Sequence, residues 1–122
     1  MDYFSDTILI SKIQKYTEGK LNGKSQGFYR NGQKYYESNY VEGEKNDTSF
    51  SWYSDGALKG KSFYKNDNLS GKEIYWYRNG QIQYICNYKN GMRDSISIGW
   101  HENGTLKRIE KSFKKKERVI IF

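Results

Sequence analysis

The sequence contains no proline, one cysteine and one histidine among 122 residues. Without proline, every residue of a strand keeps the N–H that a β-ladder uses, so we expect uninterrupted strands. The single cysteine, Cys86, cannot form an internal disulfide, which favours a reducing compartment. No apolar run approaches the ~20 residues of a membrane-spanning helix, and residues 1–13 lack the features of a signal peptide. We therefore expect a cytoplasmic protein.

Residues that carry catalytic chemistry are equally scarce. Cys86 and His101 are the only candidates for a nucleophile and its base. A tight turn near Gly91 places Cys86 opposite roughly residue 95, which leaves His101 about 20 Å away at ~3.3 Å per residue, whereas a hydrogen bond needs ~3 Å. No histidine, cysteine and aspartate cluster has metal-ligand spacing, and no glycine-rich phosphate loop opens a helix. We predict no catalytic, metal-binding or cofactor-binding residue, no cofactor, no enzymatic activity and no small-molecule substrate.

Aromatic side chains are abundant and follow a fixed spacing. They make up 17% of the chain, and twelve of them are tyrosine. Three tryptophans lie 24 residues apart, with a phenylalanine one period earlier, and each is followed by tyrosine or histidine and then by an Asn-Gly or Asp-Gly pair. The members are Phe28, Trp52, Trp76 and Trp100; Tyr29, Tyr53, Tyr77 and His101; and the pairs at 31–32, 55–56, 79–80 and 103–104. A fixed period of this length is the mark of a repeat architecture.

Each repeat has the pattern of a β-hairpin. Asn-Gly between alternating β-formers predicts a two-residue type I′ turn. The flanking segments, such as 72–78 and 81–88, are rich in β-branched and aromatic residues. Further turns, such as Glu42-Gly43 and Asn90-Gly91, join one hairpin to the next. The predicted fold class is all-β, an antiparallel β-hairpin meander of four 24-residue units with terminal cap strands. In a single domain, 1–122, the units are about 16–39, 40–63, 64–87 and 88–111, and the caps are 1–15 and 112–122.

A two-residue turn also predicts which residues face each other. Around Asn79-Gly80, Tyr75 lies opposite Tyr84, Ile74 opposite Ile85, and Trp76 opposite Gln83. By the same count Trp52 faces Lys59, and Trp100 faces Lys107. Both faces of the sheet then carry large apolar side chains, whereas a sheet with one wet face alternates more cleanly. Either the sheet curls on itself, or its second face meets a partner.

The spaced Y-x-N-G, the aromatic doublet and the Asn-Gly turn resemble the bacterial variant of MORN repeats (membrane occupation and recognition nexus), in particular the YwqK-type antitoxin proteins. The resemblance covers about Tyr16 to Lys111. It implies a MORN-like hairpin repeat and a non-enzymatic protein-binding module, an antitoxin or immunity protein that neutralises a cognate toxin by direct binding. The glycine pattern departs from that of the eukaryotic repeat, since Asp47-Thr48 and Asp94-Ser95 stand where Ser70-Gly71 carries glycine.

The net charge of +7 is concentrated near the C-terminus. Lys107 to Arg118 holds seven basic and two acidic residues, net +5, which leaves 14 basic and 12 acidic residues, net +2, in the rest of the chain. Lysines on an edge strand block strand addition, so this segment is interpreted as an edge guard. The alternative function that it supports is a scaffold associated with a membrane surface or with nucleic acid. Nucleic acid is disfavoured because so little of the repeat is basic, and membrane attachment through lysines alone is expected to be weak.

The tryptophan row is the candidate partner-binding surface. It is either a core ladder or an exposed strip for a protein partner, since tryptophan and tyrosine are enriched at binding hot spots. The lysines opposite the tryptophans are expected to make cation–π contacts. The predicted partner-binding residues are Trp52, Trp76, Trp100, Tyr53, Tyr77, His101, Lys59 and Lys107. The expected partner is a cognate toxin or another protein, and a homo-oligomer stays open.

Overall fold

The computed structural model describes residues 9–113 and 117–121. They form eleven strands: β1 (Leu9–Thr17), β2 (Lys20–Tyr29), β3 (Lys34–Val41), β4 (Glu44–Trp52), β5 (Leu58–Lys65), β6 (Asn68–Leu69), β7 (Gly71–Trp76), β8 (Ile82–Lys89), β9 (Met92–Trp100), β10 (Leu106–Phe113) and β11 (Glu117–Ile121). The strands make one open antiparallel sheet in chain order, with the short β6 paired to β5 beside the main path. The predicted all-β hairpin meander is confirmed.

Strands β1 and β11 form the two edges of the sheet. They fall in the predicted caps, of which residues 1–8, 114–116 and 122 lie outside the described residues. The limits assigned to the domain, to the four units and to the caps stay a prediction. In the part of the chain that the structure describes, no helix has the length and apolar character needed to cross a bilayer.

Two-residue turns close one end of the sheet. They are Glu18-Gly19, Glu42-Gly43, Asn66-Asp67 and Asn90-Gly91. All eight residues have positive φ, from 48° at Asn66 to 82° at Gly43, which is the signature of a type I′ turn. The N–H of Gly43 also donates to the carbonyl of Leu21 at 2.7 Å. The bond recurs from Asp67 to Lys45 and from Gly91 to Leu69, both at 2.8 Å, so each turn is tied to the preceding one.

The Asn-Gly pairs close the other end, and there the predicted two-residue turn is wrong. The N–H of Tyr77 donates to the carbonyl of Gln81 at 2.8 Å, and the N–H of Gly80 donates to the carbonyl of Tyr77 at 2.9 Å. Within this loop only Gly80 has a positive φ, 93°. The loop therefore contains three residues, a type I turn followed by a glycine bulge. Asn79 stabilises it, because its Oδ1 accepts the N–H of Gln81 at 2.9 Å.

The extra loop residue changes the pairing beside every tryptophan. Trp52 lies opposite Leu58, Trp76 opposite Ile82 and Trp100 opposite Leu106. The predicted partners Lys59, Gln83 and Lys107 are instead the additional residues of a bulge. Deeper in the hairpin the prediction is correct, because Tyr75 faces Tyr84 and Ile74 faces Ile85.

A second irregularity recurs nearer the type I′ turns. Gly23, Asp47 and Gly71 stand 24 residues apart, and their φ angles are 109°, 69° and 83°. A non-glycine residue adopts such an angle more easily when it is Asp or Asn. The Oδ1 of Asp47 also accepts the N–H of Thr48 at 2.8 Å. The departure from the glycine pattern at Asp47 therefore preserves the backbone conformation.

Alternation along the strands divides the side chains between two faces. The face that we call the Tyr face carries a row of small or acidic residues that is buried from β2 to β10. Its members are Ser25, Ser38, Ser62, Glu73, Cys86, Ser97 and Glu110. Tyrosines of the same face flank this row, among them Tyr36, Tyr75 and Tyr84. The core of the protein therefore lies on the Tyr face.

The buried carboxylates of this core are paired. Glu73 accepts hydrogen bonds from the hydroxyls of Ser62, at 3.2 Å, and of Tyr75, at 2.9 Å. Burial, together with the Glu73 carboxylate, raises the pKa of Tyr75 to about 12, so the phenol stays protonated and donates. Glu110 forms an ion pair with Arg93. Buried polar groups are tolerated when they are hydrogen-bonded in this way.

Candidate partner-binding surface

The three tryptophans lie on the opposite side of the sheet, which we call the Trp face. Trp52, Trp76 and Trp100 occupy equivalent places at the ends of β4, β7 and β9, and each is half-buried. The ring of Trp52 stacks on that of Phe50, with centroids 5.8 Å apart and planes 27° apart. The ammonium of Lys34 lies 5.5 Å from the centroid of Trp52. The row therefore keeps part of its aromatic surface open to a partner.

A row of isoleucines crosses the Trp face beside the tryptophans. Ile74 pairs with Ile85, Ile85 with Ile98, and Ile98 with Ile109, across strands β7 to β10. All four are half-buried. In the N-terminal half the same row continues as Gln26, Glu37, Phe50 and Lys61. The Trp face is therefore polar in its first half and apolar in its second.

The sequence analysis did not identify this isoleucine row as part of the surface. The signal was available, because Ile74 and Ile98 are 24 residues apart, as are Ile85 and Ile109. Further apolar side chains extend the patch: Phe63, Ile96 and Leu106 lie on the same face and are 41%, 38% and 49% exposed. Contiguous exposed apolar surface of this kind marks an interaction site.

The charge of the Trp face is positive. Lys24, Lys61 and Lys72 lie on it and are exposed. Its carboxylate Glu37 is engaged by Lys34 at 2.9 Å and by Gln26 at 2.8 Å. Those two hydrogen bonds, that of Lys34 first, lower the pKa of Glu37. A partner surface that is apolar with acidic groups complements this arrangement.

Two of the predicted partner-binding residues, Tyr53 and Tyr77, join one hairpin to the next. The hydroxyl of Tyr53 donates to the carbonyl of Trp76 at 2.6 Å, and that of Tyr77 donates to the carbonyl of Trp100 at 2.7 Å. Tyr29 makes the same bond to the carbonyl of Trp52, at 2.6 Å. Their hydroxyls therefore perform a structural task. His101, at the next place in the series, is exposed.

The predicted lysines are separated from the tryptophan rings that they were expected to cover. The ammonium of Lys59 lies 5.6 Å from the ring centroid of Tyr53, and the guanidinium of Arg78 lies 5.0 Å from the same ring. The predicted pairing of Lys59 with Trp52 is therefore wrong. Lys107 is exposed and lines a cavity on the Tyr face together with Tyr77. The eight predicted residues thus divide between the two faces, and their role in binding stays a prediction.

The structure also corrects the geometry used for Cys86 and His101. Cys86 lies opposite Ser97, not residue 95, because β9 contains a bulge. His101 follows four residues later, about 13 Å along the strand at ~3.3 Å per residue, and Cys86 is 0% exposed whereas His101 is exposed. The two side chains are not brought together. Among residues 9–113 and 117–121, no group of His, Cys, Asp and Glu is arranged to hold a metal ion.

A comparison with protein-family models gives one match, the MORN repeat variant, at residues 21–42, 48–66 and 69–90. These segments together cover just over half of the chain. Each contains residues on both sides of one three-residue loop, and the hairpin of β9 and β10 has an equivalent loop, closed by His101 and Thr105. No curated protein matches the chain.

Proposed function

This chain belongs to the MORN repeat variant family, whose repeats are in general modules that bind proteins or membranes. From that premise we propose that it is an antitoxin or immunity protein, located in the cytoplasm, that neutralises a cognate toxin by direct contact. The observation that carries the proposal is the uncovered Trp face. Its half-buried tryptophan row and isoleucine row offer an aromatic, apolar surface on an otherwise hydrophilic chain.

The same surface indicates how the toxin is held. Tryptophan is enriched among the residues that dominate binding energy, and such residues cluster in the centre of an interface. Trp76 is central in the row, between Trp52 and Trp100. The exposed lysines of the Trp face surround the apolar part and favour acidic groups at the rim of the toxin surface, where charges mainly affect association rate and salt dependence.

The charge also restricts the mode of inhibition. A protein that blocks a nuclease by imitating nucleic acid is acidic, whereas this chain carries a net charge of +7. We therefore propose that the toxin is occluded by shape, through a surface other than a nucleic-acid cleft, or is not a nuclease. Catalysis by the antitoxin itself is not part of the proposal.

A neutralisation assay tests the function. Each protein encoded beside the gene for this chain is expressed alone and together with it, and growth is measured. The expected result is one neighbour that arrests growth alone and is harmless when the chain is present. The purified pair should then form a complex. If no neighbour is toxic, or if a toxic one is not neutralised, the antitoxin proposal is wrong.

Variants of the chain test the surface. Trp76→Ala should weaken toxin binding by about 2 kcal/mol or more, the range of hot spots. Tyr16→Ala is the matched control, since it removes an exposed ring, 58% exposed, from the other face. Neutralising Lys114, Lys115 and Lys116, which lie outside the described residues, should change mainly the salt dependence. Circular dichroism must first show that each variant is folded. Normal binding by Trp76→Ala and complete loss in the lysine variant would favour a membrane or nucleic-acid scaffold instead.

A further inference from the structure

We infer that a cavity on the Tyr face is a second binding site, which takes an aromatic side chain from an acidic segment of a protein partner. The cavity has a volume of about 340 Å³, within the ~300–1,000 Å³ range of ligand pockets. Its lining includes Tyr75, Tyr77, Tyr84 and Gly99, with Lys107 and Arg108. Because these residues face away from the tryptophan row, the site is independent of the proposed toxin-binding surface.

Two glycines on the Tyr face show why the cavity exists. Gly60 lies opposite Tyr75 on the neighbouring strand, and the ring of Tyr75 covers it so closely that a Cβ at Gly60 would lie 2.7 Å from the ring. Gly99 lies opposite Tyr84 on one side and Arg108 on the other. A Cβ at Gly99 would meet only the carbonyl oxygen of Gln83, at 3.7 Å. The space that a tyrosine ring fills over Gly60 is therefore open over Gly99.

The aromatic walls of the cavity are held in place before any ligand binds. The hydroxyl of Tyr77 is fixed by the carbonyl of Trp100 at 2.7 Å, and that of Tyr75 by Glu73 at 2.9 Å. The rings of Tyr75 and Tyr84 lie 6.3 Å apart between centroids, with their planes 30° apart. Aromatic pairs favour centroid distances of ~4.5–7 Å, so a third ring over Gly99 extends an existing array. A preorganised site loses little entropy on binding.

The charged groups of the cavity are both positive. Lys107 and Arg108 are exposed and form no ion pair with any residue that the structure describes. The nearby buried carboxylates are engaged, Glu73 by Tyr75 and Ser62, and Glu110 by Arg93. An aromatic ring that enters the cavity therefore meets two cations at its border, and carboxylates beside that ring pair with them. Arginine also stacks on aromatic faces.

The shape of the site favours a side chain of a protein over a free small molecule. The cavity is a trough on a sheet face, bordered by Tyr84 on β8, Gly99 on β9 and Arg108 on β10, with no second layer of described residues above it. A side chain that projects from a partner surface reaches into such a trough while its backbone stays outside. Flanking acidic residues of that partner then lie over Lys107 and Arg108.

The test uses the full chain and three acetylated, amidated peptides as probes: EEFEE, EEAEE and KKFKK. Binding is followed by the backbone amide resonances of Ser97, Gly99 and Arg108 in ¹H–¹⁵N spectra. EEFEE should shift these resonances with saturation, and EEAEE and KKFKK should each bind at least tenfold more weakly. Gly99→Leu places a side chain in the trough and should weaken EEFEE at least tenfold. Arg108→Gln, a change at an exposed residue that leaves the fold intact, should weaken EEFEE and reduce its salt dependence.

Trp76→Ala is the control for the other face and should leave EEFEE binding unchanged, so that the two sites are distinguished. Equal affinities for EEFEE and EEAEE would overturn the inference, because charge alone would then explain binding. Loss of EEFEE binding in Trp76→Ala, with full binding in Gly99→Leu and Arg108→Gln, would also overturn it. Saturation by phenylacetate in the absence of binding by any peptide would refute the protein partner in favour of a small aromatic acid.

Discussion

The tyrosine-to-carbonyl bonds between hairpins should carry a measurable share of the stability, and Tyr29→Phe tests this. Tyr29 is 3% exposed, and its hydroxyl donates to the carbonyl of Trp52 at 2.6 Å. Burial, followed by the neighbouring Tyr35, raises its pKa, so the hydroxyl is a donor at neutral pH. The substitution removes that hydroxyl alone and keeps the ring, which packs edge-on against Tyr35 with centroids 5.0 Å apart.

The expected loss is about 1.5 kcal/mol in the free energy of unfolding, since a net hydrogen bond contributes ~0.5–1.5 kcal/mol and a buried group left unpaired costs ~1–3 kcal/mol. With an unfolding entropy of ~2.1 cal/mol/K per residue, a loss of that size lowers the melting temperature by about 6 °C. Urea unfolding followed by circular dichroism measures the change, and the slope against denaturant should stay constant if only native stability is affected.

Tyr16→Phe is the matched control. Tyr16 is 58% exposed, and its hydroxyl donates to Gln14 at 3.1 Å on the surface, so its loss should change stability by no more than about 0.5 kcal/mol. Tyr53→Phe, which removes the equivalent bond one hairpin later, should behave like Tyr29→Phe. If Tyr29→Phe costs no more than Tyr16→Phe, the bonds between hairpins contribute nothing, and the explanation of the tyrosine period is refuted.

Three further substitutions test the packing and electrostatics of the sheet. Gly60→Ala should destabilise the protein by about 1–3 kcal/mol through overpacking, because its Cβ would lie 2.7 Å from the ring of Tyr75, whereas Gly99→Ala, with its nearest neighbour at 3.7 Å, should be tolerated; equal melting temperatures would contradict this. Ser49→Ala should leave thermal stability unchanged or raise it by about 1 kcal/mol, since the hydroxyl is buried without a partner among the described residues and such a group is costly; a clear loss would refute it. The lowered pKa of Glu37 contributes stability above the unfolded pKa, near 4.5, that is lost as the pH falls through the folded pKa; Glu37→Gln should lack this acid-dependent part in denaturation curves between pH 5 and pH 2, and identical pH profiles would exclude it.

The fold was predictable because its information is periodic. One Asn-Gly pair is a weak signal, but four turn pairs in register with three tryptophans leave few alternatives to a hairpin repeat. The loop length was not predictable from the same letters. Asn-Gly suits both a type I′ turn and a type I turn with a glycine bulge, and the choice depends on whether Asn79 hydrogen-bonds its own backbone, as it does to the N–H of Gln81.

The candidate site was only partly predictable, for a geometric reason. A bulge residue escapes the alternation rule, so the neighbours of Lys59 and Lys107 could not be assigned by counting from a two-residue turn. The role of Tyr53 and Tyr77 depends on how one hairpin lies on the next, over a separation of 23 residues, and no local pattern encodes that. The isoleucine row was readable from the 24-residue spacing, but it becomes a surface only once the strands are paired.

The bonds between hairpins have a consequence for how such a protein changes in evolution. Each hairpin offers its neighbour the same connections at both ends, from Tyr53 to Trp76 at one end and from Asp67 to Lys45 at the other. A duplicated stretch of 24 residues therefore arrives with every donor and acceptor it needs, like a link added to a chain. The width of the surface shown to a partner is then adjustable by whole steps of gene duplication, while point substitutions alter the chemistry within one step.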